Sequence, residues 1–264
     1  MDCPGYRHWA RAPADTRIYA IGDLHGQLEL LDEMHDLIRQ DAETAAQGLR
    51  LLIVYLGDYI DRGPRSSEVV GRLLDNPMRE SFETIYLRGN HEDFMLGFVD
   101  SGVRGGPWLR LGGRETLQSY GLEMPGRAAD DDLLATRAAL ILQLPPAHLA
   151  FLKATEVMHC EGDYLFAHAG IRPGIGMSEQ DPHDFMWIRS EFTNSNANFG
   201  VCVVHGHTIR ERPTIAHNRI GVDTGAYYTG VLSCAVIEDD FVRFLHTPAS
   251  GVDGGHRQHI IADP

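Results

Sequence analysis

Short apolar runs recur along the chain, and each of the first five is followed within two residues by an acidic, amide or imidazole residue. Apolar-rich runs of about four to eight residues between turn residues are typical of buried β-strands. Eight runs predict strands at residues 17–22, 51–57, 83–88, 163–167, 201–204, 219–222, 231–238 and 241–246. Asp239 and Asp240 separate the last two runs, which predicts a hairpin.

Between the first strands, apolar positions recur with the helical period. Residues 27–40 and 65–75 each place apolar side chains on one face, and residues 131–143 begin acidic and end before two prolines. Strand and helix therefore alternate in the first half, and strands dominate the last third. This order predicts an α/β fold with mixed sheets, in a single domain over residues 1–264 with a core at about 17–246.

One stretch departs from this alternation. Residues 102–130 are rich in glycine and contain Trp108, Leu109 and Leu111. Because large apolar side chains need burial, we expect an insertion packed over the core, not a linker, extending through the third helix to about residue 145.

Composition narrows the function classes. With 43% hydrophobic residues the chain can bury a full core, and no apolar run approaches the ~20 residues of a membrane span. The N-terminus lacks a signal-like apolar region and the four cysteines are scattered, so we expect a cytoplasmic protein that does not associate with membranes. Acidic residues outnumber basic ones by 37 to 23, which disfavours nucleic acid as a partner.

Metal-ligand residue types follow the predicted strands. If these strands are neighbours, their carboxyl ends bring six such side chains to one edge of a sheet: Asp23, His25, Asp58, Asn90, His168 and His207. Mixed imidazole and oxygen ligands suit Mn, Fe, Zn or Ni better than calcium. Two dications ~3.5–4 Å apart can clamp the attacking and leaving oxygens of a displacement at phosphorus. Each motif alone would be an ordinary turn, but together they predict a two-metal phosphoesterase.

Five motifs occur in order along the chain: GDLHG (22–26), GDYIDRGP (57–64), RGNHE (88–92), HAG (168–170) and HGHT (205–208). On these motifs the chain resembles the phosphoprotein phosphatase family, in its bacterial and phage Ser/Thr branch, over roughly residues 17–238. The resemblance implies a calcineurin-like sandwich of two mixed β-sheets flanked by helices. It also implies two divalent cations, with manganese expected and iron, zinc, nickel or magnesium as alternatives.

The resemblance implies a role for each motif residue. Asp23 and His25 would bind the first metal, Asp58 would bridge both, and Asn90, His168 and His207 would bind the second. His91 would be the general acid that protonates the leaving alkoxide, and Asp61 would pair with its ring. Arg62, Arg88 and Arg189 would bind the substrate phosphate, since a guanidinium can grip two oxygens at once.

Other polar residues near the motifs have weaker expectations. His205 is expected not to be a ligand, because Thr208 and Ile209 follow His207 where other branches carry a further histidine. Asp223 is expected to be structural. Glu92 fits either an orienting role or an acidic helix start, and Tyr227 and Tyr228 receive no role.

Three functions remain open at this stage. The leading hypothesis is a phosphatase acting on serine and threonine phosphoesters in proteins, with phosphotyrosine also open and no obligatory regulatory subunit. The alternative is a diadenosine tetraphosphatase-like nucleotide hydrolase. The GDYIDRGP and RGNHE motifs, with Asp61 and Glu92, favour the protein phosphatase. A binding module without activity is disfavoured because every expected ligand and the general acid are present.

Overall fold

The computed structural model describes residues 5–123 and 130–248, without the side chains of residues 130–132. Its strands are β1 (Tyr6–Arg7), β2 (Thr16–Ile21), β3 (Arg50–Tyr55), β4 (Glu83–Tyr86), β5 (Met158–Glu161), β6 (Tyr164–Ala167), β7 (Cys202–His205), β8 (Thr214–Ala216), β9 (Arg219–Gly221), β10 (Ser233–Glu238) and β11 (Phe241–His246). Its α-helices are α1 (Leu28–Ala42), α2 (Ser66–Asp75), α3 (Asn90–Ser101), α4 (Gly105–Trp108), α5 (Arg114–Ser119), α6 (Asp130–Gln143), α7 (Pro146–Ala154), α8 (Pro182–Trp187), α9 (Ser190–Thr193) and α10 (Ala226–Thr229).

The strands form two mixed sheets. The first has the order β1-β11-β10-β2-β3-β4, in which β2, β3 and β4 are parallel and β10 and β11 are antiparallel neighbours. The second has the order β5-β6-β7-β9-β8, with β6, β7 and β9 parallel. Two mixed sheets with flanking helices confirm the predicted α/β class.

Side chains alternate between the two faces of each strand, and this alternation creates the layers. In β2, Ile18 and Ala20 pack in one buried cluster with Phe166 and Val204 of the second sheet. The intervening Tyr19 and Ile21 pack in another cluster with α1 and α2, which contribute Leu31, Met34, Val69 and Val70. The outer face of the second sheet packs against Phe185 and Phe192 of α8 and α9. The result is a sandwich of helices, two sheets and helices.

The predicted strands and helices match the observed ones within about two residues at most ends, but one expectation about their arrangement is wrong. The strands before the site are not all neighbours in one sheet: β2, β3 and β4 lie in the first sheet, and β6 and β7 lie in the second. Their following loops meet because the two sheets pack face to face. The candidate site therefore lies between the sheets, not along one sheet's edge.

The glycine-rich insertion packs over the core, as expected. It forms α4, a π-helical turn at Leu109–Gly113 and α5. Trp108 and Leu117 are fully buried, and the indole ring lies 5.4 Å from the ring of Phe98 in α3. Residues 124–129 of this insertion lie outside the described part of the chain.

Two expectations from composition concern membranes and cysteines. Across residues 5–123 and 130–248, no helix has the length and apolarity needed to cross a membrane. Cys202 and Cys234 are buried free thiols in apolar strands, and Cys160 is free and exposed. Cys3 lies outside the described residues.

Candidate metal centre

The motif loops carry unusual backbone geometry. Five of the nine non-glycine residues with positive φ in the described chain lie in these loops: His25, Asp58, Asp61, Arg62 and His207. The left-handed conformation costs a non-glycine residue roughly 1–2 kcal/mol. Such strain clusters at functional sites, where the surrounding structure imposes it. The fold therefore tolerates strain at the place where the predicted ligands meet.

Four ligand atoms face one another in what we call the Asn90 cage, formed by Asp58, Asn90, His168 and His207. The Nε2 atom of His168 lies 3.0 Å from Asn90 Oδ1, 3.2 Å from His207 Nδ1 and 3.3 Å from Asp58 Oδ2. The Nδ1 atom of His168 lies 2.9 Å from the Leu56 carbonyl oxygen, to which it donates its proton. This bond leaves a lone pair on Nε2, directed among three other acceptors.

A cation among these atoms would stabilise the Asn90 cage. Oxygens of Asn90 and Asp58 and a ring nitrogen of His207 lie within about 3.3 Å of the His168 Nε2 lone pair, and a positive charge among these atoms relieves the repulsion between the lone pairs. Oxygen and imidazole nitrogen donors suit a transition-metal dication. The donor set of the Asn90 cage therefore fits a divalent metal.

A second cluster, the His25 group, shares Asp58 with the cage. It consists of His25, Asp58 and His91, whose ligand atoms all lie within 4.8 Å of one another. The Nδ1 atom of His25 lies 2.8 Å from the Ile60 carbonyl oxygen, and its Nε2 atom lies 3.5 Å from Asp58 Oδ2. His25 thus places Nε2 near Asp58 Oδ2, as His168 does at 3.3 Å. Asp58 lies where a bridging ligand would.

The expected ligand Asp23 is buried, and its carboxylate accepts hydrogen bonds of 3.1 and 3.2 Å from the backbone N–H of His207. It belongs to neither the cage nor the His25 group by distance. Its role as a metal ligand therefore stays a prediction.

The buried carboxylates of the centre require positive charge nearby. Burial raises the pKa of Asp23 well above its ordinary value, and the nearby Asp223 raises it further. Burial lowers the pKa of His168, but the carboxylates of Asp58 and Asp23 outweigh this effect and raise it to about 10. Burial holds the pKa of His207 well below the ordinary value, with His168 adding to the effect. Carboxylates at this density require protons or cations, and dications supply the charge without protonating the ligands.

The carboxylate of Glu92 holds two motif loops together. It accepts hydrogen bonds from the backbone N–H groups of Asp58 at 2.9 Å, Tyr59 at 2.8 Å and Gly89 at 2.9 Å. The sequence left two roles open, and the structure gives Glu92 both: it orients the motif loops, and its bond to Gly89 caps the start of α3. Gly89 has no room for a side chain, because a Cβ atom would lie 2.0 Å from Asp58 Oδ1.

His91 and Asp61 form a buried pair. The Nδ1 atom of His91 lies 2.6 Å from Asp61 Oδ2, and both side chains are at most 1% exposed. The Nε2 atom lies 3.1 Å from an Arg62 nitrogen and 3.9 Å from Asp58 Oδ2. The pairing with Asp61 is the geometry expected of an oriented proton donor. His91 also belongs to the His25 group, so proximity permits metal binding as well.

The three arginines that are predicted to bind phosphate make different contacts in the structure. The guanidinium of Arg62 lies beside His91 and 4.8 Å above the ring of Tyr227. Arg189 lies close enough to His207 for its charge to lower the pKa of that ring. The guanidinium of Arg88, in contrast, donates to Thr155 Oγ1 at 3.1 Å and to the Lys153 carbonyl at 2.9 Å. These bonds direct Arg88 to the C-terminal end of α7, and its role at the phosphate stays a prediction.

Two further residues fall outside both metal groups. His205 is buried against the ring of Phe192, and burial lowers its pKa to about 4. It belongs to neither the cage nor the His25 group, and its expected absence from the ligand set stays a prediction. Asp223 accepts a 2.8 Å hydrogen bond from Gly225 N–H, which is the structural role expected of it, and burial raises its pKa to about 6.

A groove of about 690 Å³ opens beside Asn90. Pro107, Arg110 and Leu111 of the insertion line it, together with Trp187 and Arg189. The groove is large enough for a group attached to a phosphate at the cage. Sequence reasoning did not find this groove, because its lining comes from segments far apart in the chain.

Comparison with known proteins agrees with this geometry. Residues 16–213 match the family model described as calcineurin-like phosphoesterase. The chain is 25% identical over 250 residues to an asymmetrical bis(5′-nucleosyl)-tetraphosphatase of Halalkalibacterium halodurans, with 87% of this chain and 92% of that protein covered. It is 27% identical over 225 residues to serine/threonine-protein phosphatase 1 of Salmonella typhimurium, with 84% and 92% covered. A solved structure titled as a putative diadenosine tetraphosphatase has the same fold, with a TM-score of 0.57, 22% identity and 90% and 98% of the chains covered.

Proposed function

The chain belongs to the calcineurin-like phosphoesterase family, and on that premise we propose that it is a serine/threonine protein phosphatase with a dinuclear metal centre. Family membership and the arrangement of histidines and aspartates support a metal-dependent phosphoesterase. The finer assignment rests on how the leaving group is handled.

The pair of His91 and Asp61 carries the proposal. The 2.6 Å contact between them fixes the imidazole beside the metal ligands. A serine or threonine alkoxide is a strong base and leaves slowly without a proton, so a general acid accelerates its departure by roughly 100- to 10,000-fold. A nucleotide phosphate is a much weaker base and leaves without that help. An oriented proton donor is therefore most useful to an enzyme that cleaves alkyl phosphoesters.

Other residues of the chain orient the phosphate and the proton donor. When bound, the two cations supply Lewis acidity and an activated water. Arg62 and Arg189 orient the phosphate, and the incoming phosphate draws Arg62 away from His91 Nε2. Nε2 faces a guanidinium donor in the structure, and it takes up a proton from solvent once Arg62 has moved to the phosphate, which makes the ring an imidazolium. The water oxygen then forms the new bond to phosphorus as the ester P–O bond breaks, the Nε2 proton passes to the leaving oxygen, and the proton of the water goes to solvent. Asp61 holds the Nδ1–H of the ring throughout.

Manganese is the metal that we propose for both positions. The cage combines one carboxylate oxygen, one amide oxygen and two imidazole nitrogens, a set that suits manganese and also iron or zinc. Loading the metal-free protein with each ion in turn, and measuring the rate per bound ion, identifies the metal that supports turnover best.

A nucleotide hydrolase is the second candidate, and two observations favour it. One relative with similar coverage is named as a bis(5′-nucleosyl)-tetraphosphatase. The groove beside Asn90 is lined by Trp187, Arg110 and Arg189, residue types that can stack on a base and hold phosphates.

Parallel kinetics on two substrates distinguish the candidates. The manganese-loaded protein is assayed with a phosphoserine peptide and with diadenosine tetraphosphate, and kcat/KM is compared. The protein phosphatase predicts a higher kcat/KM for the peptide. A kcat/KM higher for the dinucleotide, with little turnover of the peptide, would replace this proposal with the second candidate.

We further propose that the chain acts on its own in the cytoplasm on phosphoproteins or phosphopeptides, without an obligatory regulatory subunit, nucleic acid or membrane. One chain supplies the cage, the His25 group and the paired His91, which supports independence from a subunit. The free thiols of Cys160, Cys202 and Cys234 support a reducing compartment. Activity of the purified chain alone on a phosphopeptide tests the first point.

A further inference from the structure

Two side chains of the insertion hold the carboxylate of Asp61. The indole Nε1–H of Trp108 donates to its two oxygens at 3.1 and 2.8 Å. The hydroxyl of Thr116 donates to Oδ1 at 2.5 Å. All three residues are fully buried. With His91 on Oδ2, both carboxylate oxygens have fixed partners, and the carboxylate cannot rotate without breaking them.

The insertion also holds the backbone of the same turn. The N–H of Asp61 donates to Thr116 Oγ1 at 2.8 Å, and the N–H of Arg62 donates to the Gly112 carbonyl at 3.2 Å. Asp61 and Arg62 both have positive φ, at 73° and 66°, so their strained turn depends on such support.

Gly112 shows how closely the insertion approaches. It lies in the π-helical turn with a φ of 117°, and a Cβ atom there would be 2.6 Å from the Arg62 nitrogen. Single π-helical turns occur frequently at functional sites. Here the irregular turn lets the insertion reach the backbone that carries Asp61 and Arg62.

Core packing alone does not explain this arrangement. Trp108 packs against Phe98, and a phenylalanine would fill much of the same space. A buried carboxylate, however, requires donors on its oxygens, and both an indole N–H and a hydroxyl are directed at this one. The polar atoms of Trp108 and Thr116 therefore act on Asp61 in addition to any packing role.

We propose that Trp108 and Thr116 are positioning residues for the reaction: they fix the Asp61 carboxylate, which orients the His91 ring towards the leaving oxygen. The inference rests on the proposed function in taking His91 as the proton donor. It makes the insertion part of the proton-donating apparatus, whereas the sequence predicted only a cover over the core.

The test compares two aryl phosphates in the manganese-loaded full chain. Phenyl phosphate has the more basic leaving group and needs the proton more than p-nitrophenyl phosphate does. Trp108→Phe and Thr116→Val should lower kcat on phenyl phosphate by about 10- to 100-fold, the range typical when a supporting hydrogen bond is lost. The rate on p-nitrophenyl phosphate should change far less. Thr116→Ser keeps the hydroxyl and should retain the wild-type ratio of the two rates.

Trp9→Phe is the matched control, because it also removes an indole hydrogen bond, to the backbone oxygen of His217. It should leave the ratio of rates unchanged. Equal loss on both substrates, or no loss on either, in variants with native circular dichroism and metal content would overturn the proposal. If Trp108→Phe does not fold, the contrast between Thr116→Val and Thr116→Ser decides.

The aryl phosphate ratio is independent of the physiological substrate. Failure of the proposed function would appear as a wild-type chain that does not hydrolyse the phosphoserine peptide. Failure of the positioning proposal would appear as an unchanged ratio in the variants. The two failures are therefore distinguishable.

Discussion

The substitution Glu92→Gln tests how strongly the loops of the centre depend on one carboxylate. Oε2 accepts from the N–H groups of Asp58 and Gly89, both at 2.9 Å. Oε1 accepts from Tyr59 at 2.8 Å and from Ile60 at 3.4 Å. Burial and the charge of Asp58 raise the pKa of Glu92 to about 7. Four backbone donors occupy the oxygens, however, so we assign the ionised form when the cations are bound.

A glutamine has only one acceptor oxygen, so it can accept hydrogen bonds from only one of the two pairs of backbone N–H groups. Whichever way the amide is turned, its NH₂ group faces two backbone N–H groups that lose their acceptor. A hydrogen bond to a charged group contributes about 1.5–3 kcal/mol, so the loss of two costs about 3–6 kcal/mol. This is a large share of the ~5–15 kcal/mol by which proteins are stable.

Urea unfolding at neutral pH, followed by circular dichroism, measures this loss in the manganese-loaded protein. Glu68→Gln is the matched control, since Glu68 is exposed and pairs with Arg65 on the surface. Its free energy of unfolding should change by no more than about 0.5 kcal/mol. A loss below about 1 kcal/mol for Glu92→Gln would refute the claim that this carboxylate holds the Asp58 and Gly89 loops in place.

Three further predictions concern metals and roles. Chelation should abolish activity and manganese should restore it; full turnover of protein shown metal-free by elemental analysis would contradict this. The melting temperature should also rise with manganese concentration, because the ion binds only the folded cage. His91→Asn should keep both metals and lose kcat by roughly 100- to 10,000-fold on a phosphoserine peptide, with a smaller loss on p-nitrophenyl phosphate; loss of metal would make His91 a ligand. His207→Asn should lose metal from the cage and activity on both substrates together, and retained stoichiometry would remove His207 from the ligand set.

The hydrophobic pattern predicted the strands well but not their distribution between sheets. Strands such as β3 and β7 are apolar runs buried on both faces, and nothing in such a run specifies which partner it pairs with. Pairing depends on contacts between distant segments, such as β2 with β10. The site, expected at the edge of a single sheet, therefore lies where the two sheets meet.

The clustering of most candidate ligand residues could be predicted because each one follows a strand within a short motif. The contacts of Arg88 could not be predicted, although it lies next to Gly89 and Asn90 in the same motif. The chain after β4 continues as an extended bridge, in which Leu87 pairs with Glu156 and the N–H of Arg88 donates to the Glu156 carbonyl. This pairing places Arg88 beside Thr155, a contact that no local motif encodes.

The side chains that donate hydrogen bonds to Asp61 could not be predicted from the sequence either. Trp108 and Thr116 are 47 and 55 residues away in sequence, and they reach Asp61 through a π-helical turn that has no periodic signature. The available signal was an indole in a glycine-rich stretch, which indicated burial but not the direction of its N–H group.

Anomalous diffraction from crystals of the manganese-loaded protein tests the central claim most directly. We predict two manganese peaks about 3.5–4 Å apart, bridged by Asp58, with Asn90, His168 and His207 on one ion and Asp23 and His25 on the other. His91 should contact neither ion and should remain bonded to Asp61. A single peak, or a manganese ion bound to His91 Nε2, would contradict the two-metal centre with a separate proton donor.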